Sequence, residues 1–380
     1  MMELCFTDCV ELVGAPCPSF DGKKRYISTG AVDVDHISET DVELVDYKGR
    51  PSRANLVAEC GDILFAKMQG TKKTLQLDMD MADNIYSTGF CAVRARASVL
   101  TPKCLYHLLT SNTFLRQKDL NCSGATQKAI TNAALRKIAI KIPAMKQQEI
   151  IANQLDSIVS IIEMRQRELE QLDKLVKSRF VEMFGEPINN SKGWTLVPLG
   201  KRCKIVTGNT PSRAEPENYG KFIEWIKSDN INTPYTFITE AQEYLSEAGF
   251  RKCRFVETGS LLMTCIAGSI NCIGNVAITN RRVAFNQQIN AIVPEQDNVL
   301  YLYWLMILSQ PLIHSTINMS LKGILSKGQL AELAFPFPPI ELQEEFANIA
   351  KQIDKSKAVI QKSLDEAQVL FDSLMQQYFG

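Results

Sequence analysis

Apolar residues recur in alternating steps of four and three through residues 143–185: Ile151, Leu155, Ile158, Ile162, Leu169, Leu172 and Val176, with Arg165 as the one charged member of the series. The same rhythm runs through residues 338–380, in Phe346, Ala350, Ile353, Ile360, Leu364, Ala367, Phe371, Leu374 and Tyr378, with Lys357 as its charged member. A period of 3.5 residues predicts two long helices that meet along a narrow seam. A cation in such a seam weakens it but helps to set its register. Pro143 and Pro338-Pro339 stand where each helix should start, and Phe184-Gly185 and Phe379-Gly380 where each should end. Each helix would span roughly 55–60 Å. Two unrelated amphipathic helices, each packed on its own domain, are the alternative; the narrowness and length of the stripe favour mutual pairing.

The two stretches are copies. At a constant offset of 195 they align without a gap, and 12 of 43 positions are identical, among them Gln148/Gln343, Glu149/Glu344, Ala152/Ala347 and Asn153/Asn348. Chance alone gives about 3. Between them the pattern changes to short apolar runs broken by polar turns. In residues 1–142, strands are expected at Arg25–Gly30, Leu44–Tyr47, Asp62–Lys67, Gly89–Arg94 and Leu135–Ile142, and one helix at Pro102–Lys118. Residues 186–193 read as a linker. The following half repeats the order: Gly259–Met263 matches Gly61–Phe65, Asn286–Ile292 matches Ser87–Val93, Val299–Leu308 replaces the Leu105 helix, and Lys322–Ser326 matches Gln127–Thr131. The expected class is therefore α+β: two similar mixed α/β domains, 1–142 and 186–337, separated by long helices at 143–185 and 338–380 that pair as an antiparallel coiled coil in a pseudo-twofold repeat.

Composition narrows the function. The 380 residues carry 42 Lys+Arg and 42 Asp+Glu, so the net charge is zero. Residues 146–184 hold 6 cations and 7 anions and residues 340–380 hold 4 and 7, which leaves 32 cations against 28 anions elsewhere. A polyanion would thus meet the domains rather than the helices. The apolar runs at Ile138–Ile140 and Tyr301–Leu308 are too short to cross a membrane, and Met1–Cys5 lacks the marks of a signal peptide. A cytoplasmic protein without a membrane partner is expected. Eleven scattered cysteines without a Cys-x-x-Cys pair, and only His36, His107 and His314, argue for reduced thiols and against a metal site.

The stretches Trp194–Gly200, Thr207–Ser212 and Ile223–Ile231, with the strand–Pro–helix junctions Leu135–Ala152 and Leu330–Ala347, carry a resemblance. The chain resembles the specificity subunit of type I restriction–modification enzymes over nearly its whole length. That resemblance implies two target recognition domains that each read one half of a split, asymmetric site in double-stranded DNA. It implies helices that pair antiparallel, fix the spacing and dock two modification subunits, which methylate adenine with S-adenosylmethionine. It implies restriction subunits that use ATP and Mg, and no catalytic residue or cofactor in this chain. One departure is that Met1–Phe20 is unlike Trp194–Gly200; another is that Gly124–Lys128 stands against Met319–Gly323.

Candidate DNA contacts follow from residue chemistry. Cations, hydroxyls and amides reach phosphates and base edges. In the second domain Lys204, Thr207, Asn209, Thr210, Ser212 and Arg213 are expected on one polar loop, Lys227 and Asn230 at a strand end, and Asn286, Gln287 and Gln288 in an amide cluster. In the first, Lys67, Gln69, Thr71, Lys72 and Lys73 surround Gly70. Each group also has a bland reading, as a solvated turn or a backbone cap. A methyltransferase would need a glycine-rich cofactor loop and an Asn/Asp-Pro-Pro-aromatic motif, and a nucleotide motor a Gly-x-x-x-x-Gly-Lys-Ser/Thr loop; neither is present. Ser/His/Asp hydrolysis is poorly served by three isolated histidines. The remaining rival is a coiled-coil scaffold that binds proteins alone.

Overall fold

A computed structural model describes residues 2–317 and 323–380; the departure noted at Met319–Gly323 lies largely outside them. The chain divides into two compact units. One holds the residues up to Gln166 together with Lys362–Gly380, the other Arg167–Gln361. The division runs through both long helices, Met145–Phe184 and Ile340–Phe379, each 40 residues long.

Within the first unit a four-stranded antiparallel sheet is ordered Val10–Val13, Phe90–Ala95, Ile63–Ala66, Thr74–Gln76. Its central strands are buried on both faces, which explains their unbroken apolar runs. Ile63, Phe65, Cys91 and Val93 face the helices, in a core with Leu105, Leu108 and Phe114. Leu64, Ala66, Phe90 and Ala92 face a second sheet, ordered Glu43–Val45, Lys24–Ile27, Ile85–Ser87, Ala54–Leu56, in which one pair is parallel. The second unit repeats this plan. Cys203–Thr207, Ile289–Pro294, Leu261–Thr264 and Val276–Ile278 form the first sheet; Tyr244–Leu245, Tyr219–Ile226, Val283–Phe285 and Phe255–Val256 form the second, again with one parallel pair. In each unit a short opening strand pairs with the strand before the long helix: Met2–Cys5 with Ala139–Ile142, and Leu196–Pro198 with Ala334–Pro336. The residue after each opening strand, Phe6 or Leu199, is fully buried and donates its N–H to Ile138 or Leu333. The missing Trp motif of the first half therefore changes the sequence but not the fold.

The long helices pack together, and the partners within each unit give the direction. Ile151 and Leu155 share a core with Met375 and Phe379 in the first unit; Val176, Phe180 and Phe184 share one with Phe346, Ala350 and Ile353 in the second. The start of one helix meets the end of the other, as an antiparallel coiled coil requires. Gly185 takes a left-handed φ of +78° and stops the first helix. The seam cation Lys357 is held by Asp173 at 2.7 Å across the pair.

Two expected elements differ. The helix expected at Pro102–Lys118 is two, Pro102–Thr110 and Asn112–Leu120. Ser111, extended at φ −67° and ψ 143°, separates them; its hydroxyl accepts from Phe114 N–H and donates to the Leu108 carbonyl. Buried Ser309 stands at the same break in the second unit, between Val299–Leu308 and Gln310–Ser315. The strand expected at Leu135–Ile142 begins as a 3₁₀ turn, Ala134–Lys137, and only Ala139–Ile142 pairs. No helix among the described residues is long and apolar enough to cross a membrane.

Candidate nucleic-acid interface

In the first unit the loop 67–73 joins strands Ile63–Ala66 and Thr74–Gln76. Gly70 turns it with φ +75°, and its N–H meets both oxygens of Asp119 at 3.1 Å. The Thr71 hydroxyl donates back to the Met68 carbonyl at 2.7 Å, so it shapes the turn. Gln69 and Lys72 are left exposed, in a cleft shared with Asn112, Arg116 and Lys128. Lys67 lines a neighbouring cleft with Arg53, Thr88, Gln127 and Asn132, and a third that shares Lys67, Thr88 and Asn132 and adds Asn55. Lys73 lines none of the three: its ammonium donates to the Thr29 carbonyl at 2.8 Å.

Charge pairing sorts the cations of this unit. Lys24, Arg25, Arg94 and Lys103 each hold a carboxylate at 2.5–2.9 Å. Among the described residues no carboxylate lies within 4.0 Å of Arg53, Lys67, Lys72, Arg116 or Lys128. The clefts thus gather cations that no carboxylate pairs, beside neutral amides and hydroxyls and one carboxylate, Asp119, that is taken up by Lys118 and the Gly70 N–H.

The second unit is built differently. Lys204 and Thr207 lie on the strand Cys203–Thr207, not on a loop. Lys204 is exposed there, and the Thr207 hydroxyl donates to Asn290 Oδ1 at 2.7 Å. Gly208 is buried; a Cβ at this position would run into the carbonyl oxygens of Asn286 and Phe285, so only glycine lets the two segments pass. Asn209 donates to the Lys252 carbonyl at 2.9 Å and accepts from Arg254 N–H at 2.8 Å, while the Arg254 guanidinium reaches the Thr207 carbonyl at 2.6 Å. The Thr210 hydroxyl meets the Gln287 amide oxygen. Asn286 is buried and bonds Gln288 twice, through its backbone N–H at 3.0 Å and its side chain at 3.2 Å. Thr207, Asn209, Thr210, Asn286, Gln287 and Gln288 therefore come together at one rim, where Thr210 and Gln287 are the most exposed.

The other predicted residues flank that rim, to which Trp225 joins them by donating its indole N–H to the Asn209 carbonyl at 3.4 Å. Ser212 is exposed, with its carbonyl accepting from Asn218 at 3.1 Å. Arg213, at 2.7 Å, and Lys227 converge on Glu243, and both lie over the Trp225 ring, at 5.3 and 5.4 Å. The Lys227 hydrogen bond, opposed by partial burial and aided by Arg213, holds the Glu243 carboxyl below its ordinary range. Asn230 is buried; it accepts from Lys227 N–H at 3.1 Å and donates to the Glu240 carbonyl at 2.9 Å, which fixes the turn Ser228–Asn230. Arg53, Thr88, Arg116, Lys128, Asn132 and Arg254 join the clefts or the rim without having been singled out above. They come from separate segments, and only the folded chain brings them together. No cluster of metal-ligating residues occurs among the described residues.

Comparison with known proteins gives a consistent result. A family model described as the type I restriction modification DNA specificity domain matches twice, over residues 19–174 and 191–368. The HindI type I restriction enzyme specificity subunit of Haemophilus influenzae is 23% identical over 347 residues, 72% of this chain and 74% of that one. The crystal structure of the type I restriction–modification S subunit from M. genitalium superposes with a TM-score of 0.60 at 16% identity, over 100% of this chain and 96% of that one. A chain from structural work on assembly and conformational transition of the type I R-M system gives 0.56 at 19% identity, over 97% of each chain. At such identities the two structures speak for the fold.

Proposed function

The chain belongs to the type I restriction–modification DNA specificity family, and from that premise we propose how it acts: each unit contacts one half of a bipartite duplex site, the first mainly through cations and the second mainly through amides and hydroxyls. The observation that carries this reading is the gathering of Arg53, Lys67, Lys72, Arg116 and Lys128, without carboxylate partners, on the clefts of the first unit. Unpaired cations beside amides are what phosphate contact and base readout need. In the second unit Arg213, Lys227, Lys252, Arg281 and Arg282 are each held by a carboxylate. Neutral Thr210, Gln287 and Gln288, with Lys204 and Ser212, are the groups we assign to DNA there; amides pair bidentately with adenine.

Methyl transfer from S-adenosylmethionine, and any ATP- and Mg-dependent cleavage, we assign to partner subunits. The helices offer two equivalent docking places for modification subunits. Met164 with Leu370 in the first unit, and Val359 with Leu175 in the second, are exposed apolar positions related by the repeat offset of 195. Equivalent patches suit two copies of one partner.

The test is binding of the purified chain with its modification subunits to duplexes bearing the site mapped from methylated adenines. Specific binding that weakens steeply with salt is expected. Removing one phosphate contact, as in Lys72→Ala or Lys128→Ala, should lower the slope of log K against log salt by about 0.9. Binding indifferent to both half-sites would overturn the reading and leave the protein scaffold.

A further inference from the structure

Lys118 stands in the last turn of the helix Asn112–Leu120, with its side chain 1% exposed. Its ammonium donates to the carbonyls of Thr71 at 2.8 Å, Met68 at 2.9 Å and Ala66 at 3.4 Å. Asp119 lies 3.3 Å from the same nitrogen and holds the Gly70 N–H. Two consecutive residues of one helix thus grip one short segment, 66–71, by three carbonyls and an amide. An ammonium has three protons to give; the Thr71 and Met68 carbonyls are its nearest acceptors, and the Ala66 carbonyl, the Thr71 hydroxyl and Asp119 surround it at 3.3–3.4 Å. A buried cation stripped of acceptors is strongly destabilising, so the loop cannot relax without exposing or orphaning that charge. Burial pulls the Lys118 pKa down, with Asp119 opposing.

The same loop carries Gln69 and Lys72, which face the cationic cleft. In the second unit the segment after the corresponding strand is also tethered from the corresponding helix, but by another side chain: His314 Nε2 meets the Ile273 carbonyl at 2.8 Å. One scaffold position, the second helix of the pair, holds differently shaped loops with different side chains.

We propose that Lys118, assisted by Asp119, is a positioning residue that sets the shape of the first unit's contact loop and thereby its selectivity for the first half-site. The proposal rests on the DNA reading above. Lys118 is buried and acts through Gln69 and Lys72; Asp119 lines the same cleft and acts by holding the Gly70 N–H.

The experiment uses the complete complex with modification subunits and three duplexes: the mapped site, the site altered in its first half, and the site altered in its second. In Lys118→Met, discrimination against the altered first half should fall tenfold or more, while discrimination against the altered second half stays as in wild type. Asp119→Asn, at the loop's surface, should act in the same direction and less strongly. Equal losses at both halves, or intact first-half discrimination in folded Lys118→Met, would overturn the proposal. Should Lys118→Met fail to fold, unchanged first-half discrimination in Asp119→Asn overturns it alone. A wild-type complex that discriminates neither half would sink the DNA reading itself, and this inference with it, a result distinct from the others.

Discussion

At the scale of single residues, the repeat identities mark structure rather than DNA contact. Gln148 accepts from Thr101 N–H at 2.8 Å and donates to the carbonyls of Val99 at 2.9 Å and Pro143 at 3.1 Å. Gln343 accepts from Asn298 N–H at 2.9 Å and donates to Asp297 Oδ1 at 2.8 Å and the Pro338 carbonyl at 2.9 Å. Each is fully buried and joins the start of a long helix to the cap of the helix packed against it. Gln148→Ala should therefore destabilise the chain by about 2–3 kcal/mol in urea unfolding, since buried groups lose their partners. The identity was visible in the sequence; the role was not, because the Val99, Thr101, Asp297 and Asn298 partners lie 45 or more positions away. His107 makes a second residue-scale case. It is buried, and its Nε2 lies 2.8 Å from Asp156 on the long helix. Burial lowers its pKa against the pull of Asp156, so the folded state refuses a proton that the unfolded state accepts below about pH 6.5. Asp156 titrates below its usual range, since Lys103 and His107 together outweigh its burial. Stability should fall as pH drops below 6.5, by at most about 1.4 kcal/mol per unit for this one proton. His107→Gln should flatten that limb of the profile in unfolding measured from pH 7.5 to 5; an unchanged limb would place the sensitivity elsewhere.

At the scale of elements, periodicity was a good guide wherever one face is buried against one neighbour, and a poor one elsewhere. The long helices were legible to the residue at their C-terminal ends because heptads, prolines and glycines agree. The break at Ser111 was not, because Leu105, Leu108, Leu109 and Leu115 keep a helical rhythm across it; a buried serine that serves as cap for the next helix overrides the pattern. The polar run at 204–213 read as a loop because its hydroxyls and amides hide the strand Cys203–Thr207, whose alternation is Cys203, Ile205 inward and Lys204 outward. Gly208 is the part of that run with a mechanical consequence. Gly208→Ala should force Thr207–Asn209 away from Phe285–Asn286, at about 1–3 kcal/mol for an overpacked site. It should also weaken affinity for the second half-site more than for the first, as the Thr210–Gln287 rim rests on that crossing. Wild-type stability in the alanine variant would show that the two segments can part freely.

At the scale of the whole molecule, the duplication was the most legible feature, and the contact surfaces the least. A repeat announces itself at a fixed offset in one dimension, whereas the clefts draw Arg53, Lys67, Arg116 and Lys128 from four segments, and side-chain pairing decides which cations remain available. Gln148 and Gln343, by contrast, tie the helix starts of both copies in one way, so the repeat is mechanical as well as ancestral. A repeated pair of long helices with different loops bears on spacing. Four residues added within Met145–Phe184 lengthen a helix by about 6 Å. Along B-DNA that is roughly two base pairs at 3.4 Å each. If the helices set the distance between half-sites, an insertion near the middle of the helix should move the preferred spacer by about that amount and leave both half-site sequences unchanged. Mapping methylated adenines in DNA from cells carrying the longer chain separates the two quantities directly: a shifted spacer with constant half-sites supports the helices as the spacing element. An unaltered spacer would mean that the distance is set by the domains or by the partner subunits, with the helix pair reduced to a docking platform.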